Sequence, residues 1–113
     1  MTHSVAAHFT KSEPAVRATY SAIVEAAREL GQVEEDPKKT SIHLVRTSAF
    51  AGVAVQKQAL TLTLKAEKRI QSPRVRRAEQ ASAHRWHIEV RLTSPAEVNA
   101  ELRRWLAEAY ALA

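Results

Sequence analysis

Residues 40–64, TSIHLVRTSAFAGVAVQKQALTLTL, limit the fold more than any other stretch of the chain. Ile42 and Leu44 alternate with Ser41 and His43, the period of a strand with one buried face. Residues 49–55 are apolar on both faces, the pattern of a central strand covered on both sides. Leu60, Leu62 and Leu64 then alternate with Thr61, Thr63 and Lys65. The intervening Thr47-Ser48 and Gln56-Lys57-Gln58 are too short for a crossover, so these strands are antiparallel neighbours.

The flanking segments follow from this centre. Residues 1–11 carry no period and read as an extended lead-in anchored by Phe9. Over residues 14–30, Val16, Tyr20, Ile23, Val24, Ala27 and Leu30 form one helical stripe. Ser12 is the candidate N-cap, Pro14 sits in the first turn and Gly31 ends the helix. Residues 32–36 are a candidate short strand. Residues 68–83 read as a polar, basic connector whose second half has room for a turn or two of helix. Residues 84–92 give one more strand, with Trp86, Ile88, Val90 and Leu92 inward. Ser94, Pro95 and Glu97 make a capping box that starts a second amphipathic helix through Val98, Leu102, Trp105 and Ala109. Two amphipathic helices need one apolar surface, and the inward strand faces supply it. The expected fold is α+β: one domain over residues 1–113, an antiparallel sheet of four to five strands, and both helices packed on one face.

Charge is informative once it is located. Residues 65–91 hold eight basic and three acidic residues, an excess of five that equals the formal net charge of +5 of the whole chain. A partner with negative charge is expected to meet that segment. The candidate anion-binding residues are Lys68, Arg69, Arg74, Arg76, Arg77, Arg85 and Arg91, with Lys38 and Lys39 at a strand start. Arginine forks suit phosphate and carboxylate. The bland alternative is a charged surface that serves solubility alone.

Four stretches carry a resemblance to a known family. They are the first helix ending in Leu30-Gly31, the block Lys38-Lys39-Thr40-Ser41-Ile42-His43, the segment Phe50-Ala51-Gly52-Val53, and Arg91-Leu92-Thr93-Ser94 through Glu101-Leu102 to Trp105-Leu106 and Ala109-Tyr110. Together they resemble, over nearly the whole chain, a bacterial family known as domain of unknown function 5655. The resemblance implies a small uncharacterised α+β domain and no established activity.

Catalytic chemistry finds little support. A metal-dependent nuclease needs convergent carboxylates. Asp36 is the only aspartate, and with Glu34 and Glu35 it reads as a solvated turn. The absence of cysteine excludes thiolate metal sites and disulfides, and two glycines exclude a glycine-rich phosphate loop. No nucleophile elbow is present. His84 and His87 fall on opposite faces of a strand, whereas His43 and His87 share the outer face with Ser41, Thr61 and Thr63. That polar cluster is either a solvated sheet face or a small-molecule or catalytic site.

The expected function is a non-catalytic module binding nucleic acid or an acidic protein through the basic connector and the sheet face. No cofactor, metal or membrane span is expected, and a cytoplasmic address is. The alternatives are a small-molecule or catalytic site at His43 and His87, and a homodimer or other protein contact through the exposed face.

Overall fold

Eleven of the largest buried side chains come from alternate strand positions and from the helix stripes, so one apolar layer between sheet and helices organises the chain. The computed structural model describes residues 3–113. Six strands form one antiparallel sheet: β1 (Glu34–Pro37), β2 (Ile42–Val45), β3 (Ala49–Val55), β4 (Leu60–Ala66), β5 (Val75–Ser82) and β6 (Arg85–Leu92). Their order is β1-β2-β3-β4-β6-β5. The helices are α1 (Val5–His8), α2 (Pro14–Arg28) and α3 (Ala100–Ala111).

The inner face carries Ile42 and Leu44, Val53, Leu62 and Leu64, then Ile88, Val90 and Leu92, all fully buried. Val16, Tyr20, Ile23 and Ala27 of α2 cover part of it, and Leu102, Trp105, Leu106 and Ala109 of α3 join the same core. Burying each large aliphatic side chain contributes about 1.5–3 kcal/mol relative to leaving it in water. The packing is satisfied as well as dense: among the described residues no buried side-chain nitrogen or oxygen lacks a hydrogen-bond partner.

The α+β architecture is as the pattern predicts, with six strands in place of four or five. The additional strand is β5. Residues 75–82 of the expected connector pair along β6 from Val75↔Val90 to Ser82↔Arg85. Its core-facing side holds only Val75 and Ala78, half-buried opposite Val90 and Ile88, and its register shifts twice, so no alternation announces it. Backbone pairing to β6 holds it in the sheet, with Val75 packed against the core at its start.

The lead-in also differs. Its first two residues lie outside the described residues, and Val5–His8 form a helical turn capped by Ser4, whose Oγ accepts from the Ala7 amide at 3.1 Å. Phe9 is the anchor, 6% exposed and 5.1 Å from the Tyr20 ring. Ser12 does not cap α2, because its Oγ donates to the Phe9 carbonyl and Glu13 takes the cap position.

Strand β3 corrects the expectation of cover on both sides. Leu44 pairs with Ala51 but Val45 with Ala49, so Phe50 is an extra residue in a β-bulge. The bulge turns both Phe50 and Ala51 toward the helices, where Phe50 meets Tyr110 edge-on at 5.2 Å. The strand is apolar on its outer face only because Ala49, Gly52 and Ala54 are small, and no element covers them.

The C-terminal capping box forms but begins only a 3-10 turn, Pro95–Glu97. Val98 leaves helical geometry, and Asn99 starts α3 by accepting the Leu102 amide at 3.1 Å. The other helix exit is fixed by Gly31, at φ 151°, a region that disfavours a Cβ. A Cβ there would also run into Tyr110 Oη.

Candidate functional site

Strand alternation separates the candidate residues onto distinct surfaces. Glu34, Glu35 and Asp36 are a strand and not a solvated turn. Glu35 pairs with Leu44 on the inner face, where Tyr20 Oη donates to it at 2.6 Å and Arg28 reaches it at 3.2 Å. Burial, together with the hydrogen bond to Glu35 and its charge, holds the Tyr20 phenol un-ionised far above the ordinary phenol range. Glu34 and Asp36 face outward, and Asp36 pairs with Lys38 at 2.9 Å.

The basic residues do not form one patch. Lys38 and Lys39 lie in the turn after β1, at the opposite edge of the sheet from β5. Arg74 is committed to the fold. Its guanidinium donates to Asn99 Oδ1 at 2.9 Å, Glu101 Oε1 at 3.2 Å and the Glu97 carbonyl at 2.6 Å, and it lies 5.7 Å from the Trp105 ring centroid. Nothing in the sequence marks Arg74 off from Arg76 and Arg77; only the approach of the 67–74 loop to the start of α3 does so. Arg85 donates to the neighbouring His84 carbonyl at 2.9 Å. Arg91 stands opposite Thr61 on the outer face.

That leaves the loop and the start of β5. Arg69, Arg76 and Arg77 line one depression of about 240 Å³ with Ile70, Ser72 and Val75, and no carboxylate lines it. Arg77 reaches Glu79 at 2.6 Å, an exposed pair worth well under 1 kcal/mol. Arg69 and Arg76 form no ion pair among the described residues. Lys68 lies beside them in a groove of about 410 Å³ that it shares with Arg69, Glu67 and Glu108, so the charge there is balanced.

The outer sheet face is a second surface. His43, Gly52, Thr63 and Glu89 stand in one cross-strand row. Lys65 and His87 form the adjacent pair, with Glu79 beyond. Ser41, His43, Thr63 and His87 line a common shallow, open depression of about 330 Å³ together with Lys65. Thr61 is not part of it and accepts from Gln56 Nε2 at 3.3 Å. The floor residue Gly52 escaped the sequence reading, since a glycine inside an apolar strand signals nothing without its neighbours. No group of three or more residues able to hold a metal ion occurs among the described residues. No helix among them is long and apolar enough to cross a membrane.

Comparison with known proteins gives the family. Residues 5–113 match the model of a family described as a domain of unknown function (DUF5655). The chain belongs to that family. The match spans α1 through α3, so the α+β sheet with its two helical ends is the DUF5655 domain itself. No curated protein and no solved structure matches the chain.

Proposed function

We propose that this DUF5655 chain is a non-catalytic binding module for a polyanion, with nucleic acid as the partner class. The observation that supports this reading is the depression at the start of β5, lined by Arg69, Arg76 and Arg77 and by no carboxylate. Guanidinium groups match phosphate oxygens in bidentate fashion, and Arg69 and Arg76 are not spent on ion pairs among the described residues. Arg74, Lys38 and Lys39 are left out: the first is held by α3, and the other two belong to the far edge of the sheet. Lys68 is left out too, since its groove is charge-balanced by Glu67 and Glu108. A few phosphate contacts make a weak, salt-sensitive binder.

The test is fluorescence anisotropy of labelled single- and double-stranded DNA and RNA across a salt series. Three phosphate contacts give a slope of log affinity against log salt of about −2 for a single strand. Exchanging Arg69 and Arg76 for glutamate is expected to abolish binding while the thermal midpoint stays within about 0.5 kcal/mol of the parent stability. Arg74→Glu, in contrast, is expected to destabilise by about 2 kcal/mol or more, because it leaves the α3 acceptors facing a carboxylate. Absence of binding at low salt removes nucleic acid as the partner. Equal binding of polyglutamate makes the partner an acidic protein.

A further inference from the structure

The outer-face cavity is chemically unlike the arginine depression. Five polar side chains converge on it, and none of them is acidic. Ser41, His43, Thr63 and His87 make no side-chain hydrogen bond among the described residues, and Lys65 Nζ reaches only Ser48 Oγ, at 3.3 Å. Donors and acceptors that the fold itself does not use are therefore collected around one hollow.

The hollow exists because of what stands at its floor. Gly52 lies in the interior of β3, between His43 on one neighbouring strand and Thr63 on the other. Glycine weakens a strand, and where it persists it often marks close approach by another group. Neither usual reason for it applies at position 52. Its φ is not positive, and an added Cβ would meet a single atom, His43 Cδ2, at an ordinary 3.7 Å. Chain geometry does not require glycine, and a side chain there would stand in the open space beside the His43 ring. The His43 ring stands beside that space.

We propose that this cavity binds a small planar organic anion, of the class of aromatic carboxylates. Its flat body lies on Gly52 against the His43 ring, and its carboxylate reaches the Lys65–His87 pair. The volume of about 330 Å³ is at the small end of the range for ligand sites. The lining holds a cation, two imidazoles and two hydroxyls, and no carboxylate. Of the carboxylates that stand opposite His43, His87 and Thr63, Asp36 and Glu79 are paired to Lys38 and Arg77, which leaves Glu89 at the edge. The lining itself favours negative charge. The apolar floor selects a flat ring. This site is separate from the β5 depression, so the two proposals stand or fall independently.

The test is titration of ¹⁵N-labelled protein with 2-naphthoate, with 2-naphthamide as the uncharged counterpart. Saturable amide shifts centred on Gly52, Thr63, Lys65 and His87 are expected for the acid, with affinity at least 10-fold weaker for the amide. Gly52→Val fills the floor with a residue suited to a strand and is expected to weaken binding at least 10-fold; Lys65→Met should do the same. Gly52→Ala is expected to melt no lower than the parent protein. Shifts that are scattered, that centre on Arg69 and Arg76, or that survive Gly52→Val overturn the proposal. So does a large loss of stability in Gly52→Ala, which would make the glycine a structural requirement.

Discussion

Arg74, Arg76 and Arg77 share a sequence segment and a charge but meet three environments: the acceptors at the start of α3, an open depression, and a neighbouring glutamate. The same contrast governs the acidic side of that contact. Burial by itself would raise the Glu97 carboxyl. Against it act the Thr93 amide and hydroxyl, each donating to Oε1 at 2.7 Å, the Ser94 amide at 3.1 Å and the Arg74 charge, and the net result lies below the ordinary carboxylate value. A carboxyl lowered in the folded state contributes stability that is complete above its unfolded value of about 4.5 and is lost as pH falls below it. Glu97→Gln is therefore expected to be less stable than the parent near neutrality, and the gap to narrow between pH 5 and about pH 3. Chemical denaturation at both pH values checks this; a constant gap would assign Glu97 a purely neutral hydrogen-bonding role.

Among the elements, legibility followed hydrophobic contrast. Strands β2, β4 and β6 were readable because one face is aliphatic and the other polar, and α2 and α3 because their stripes are long. β3 was readable as a strand and misread as doubly covered, since alanine and glycine count as apolar on either face. β5 was invisible. RVRRAEQAS offers the core only Val75 and the small Ala78, and an edge strand held by one neighbour needs little apolar surface. Its charges and two bulges are features that keep an edge from pairing with other chains. The candidate site was legible to the same degree. His43, Thr63 and His87 were assigned to one face by alternation alone, whereas the separation of Arg74 from Arg76 depends on a loop docking against α3. Amide exchange should follow the same division. Protection is expected to be greatest in β3 and β4, the two strands farthest from either edge, and lowest in the edge strands β1 and β5; protection of β5 equal to that of β4 would mean that the edge is buried by something further.

For the whole molecule, the helix contributions to the core lie on one side of the sheet, and among the described residues no helix residue lines either surface proposed for ligands. The segment that carries all the excess charge is also the one whose side chains contribute least to the core, apart from β6. Charge and stability are thus distributed over different parts of one small body, and basic residues in β5 can change without disturbing the apolar layer.

The strand order has a practical corollary. β5 precedes β6 in the chain but lies outside it in the sheet, and the strands on either side of the detour, β4 and β6, are paired with each other up to Ala66↔Trp86. Residues 67–85 therefore pass around the outside of β6, through β5, and return to within about 5 Å of where they departed. A two-residue Asn-Gly turn spans that gap. Replacing the detour with it is expected to leave a plain five-stranded meander. It should still melt cooperatively but at a lower midpoint, since the excision removes the β5–β6 pairing, the Arg74 contacts to α3 and the core-packed Ile70 and Val75. Affinity for a polyanion should go with the excised piece, and the cavity over Gly52 should stay behind.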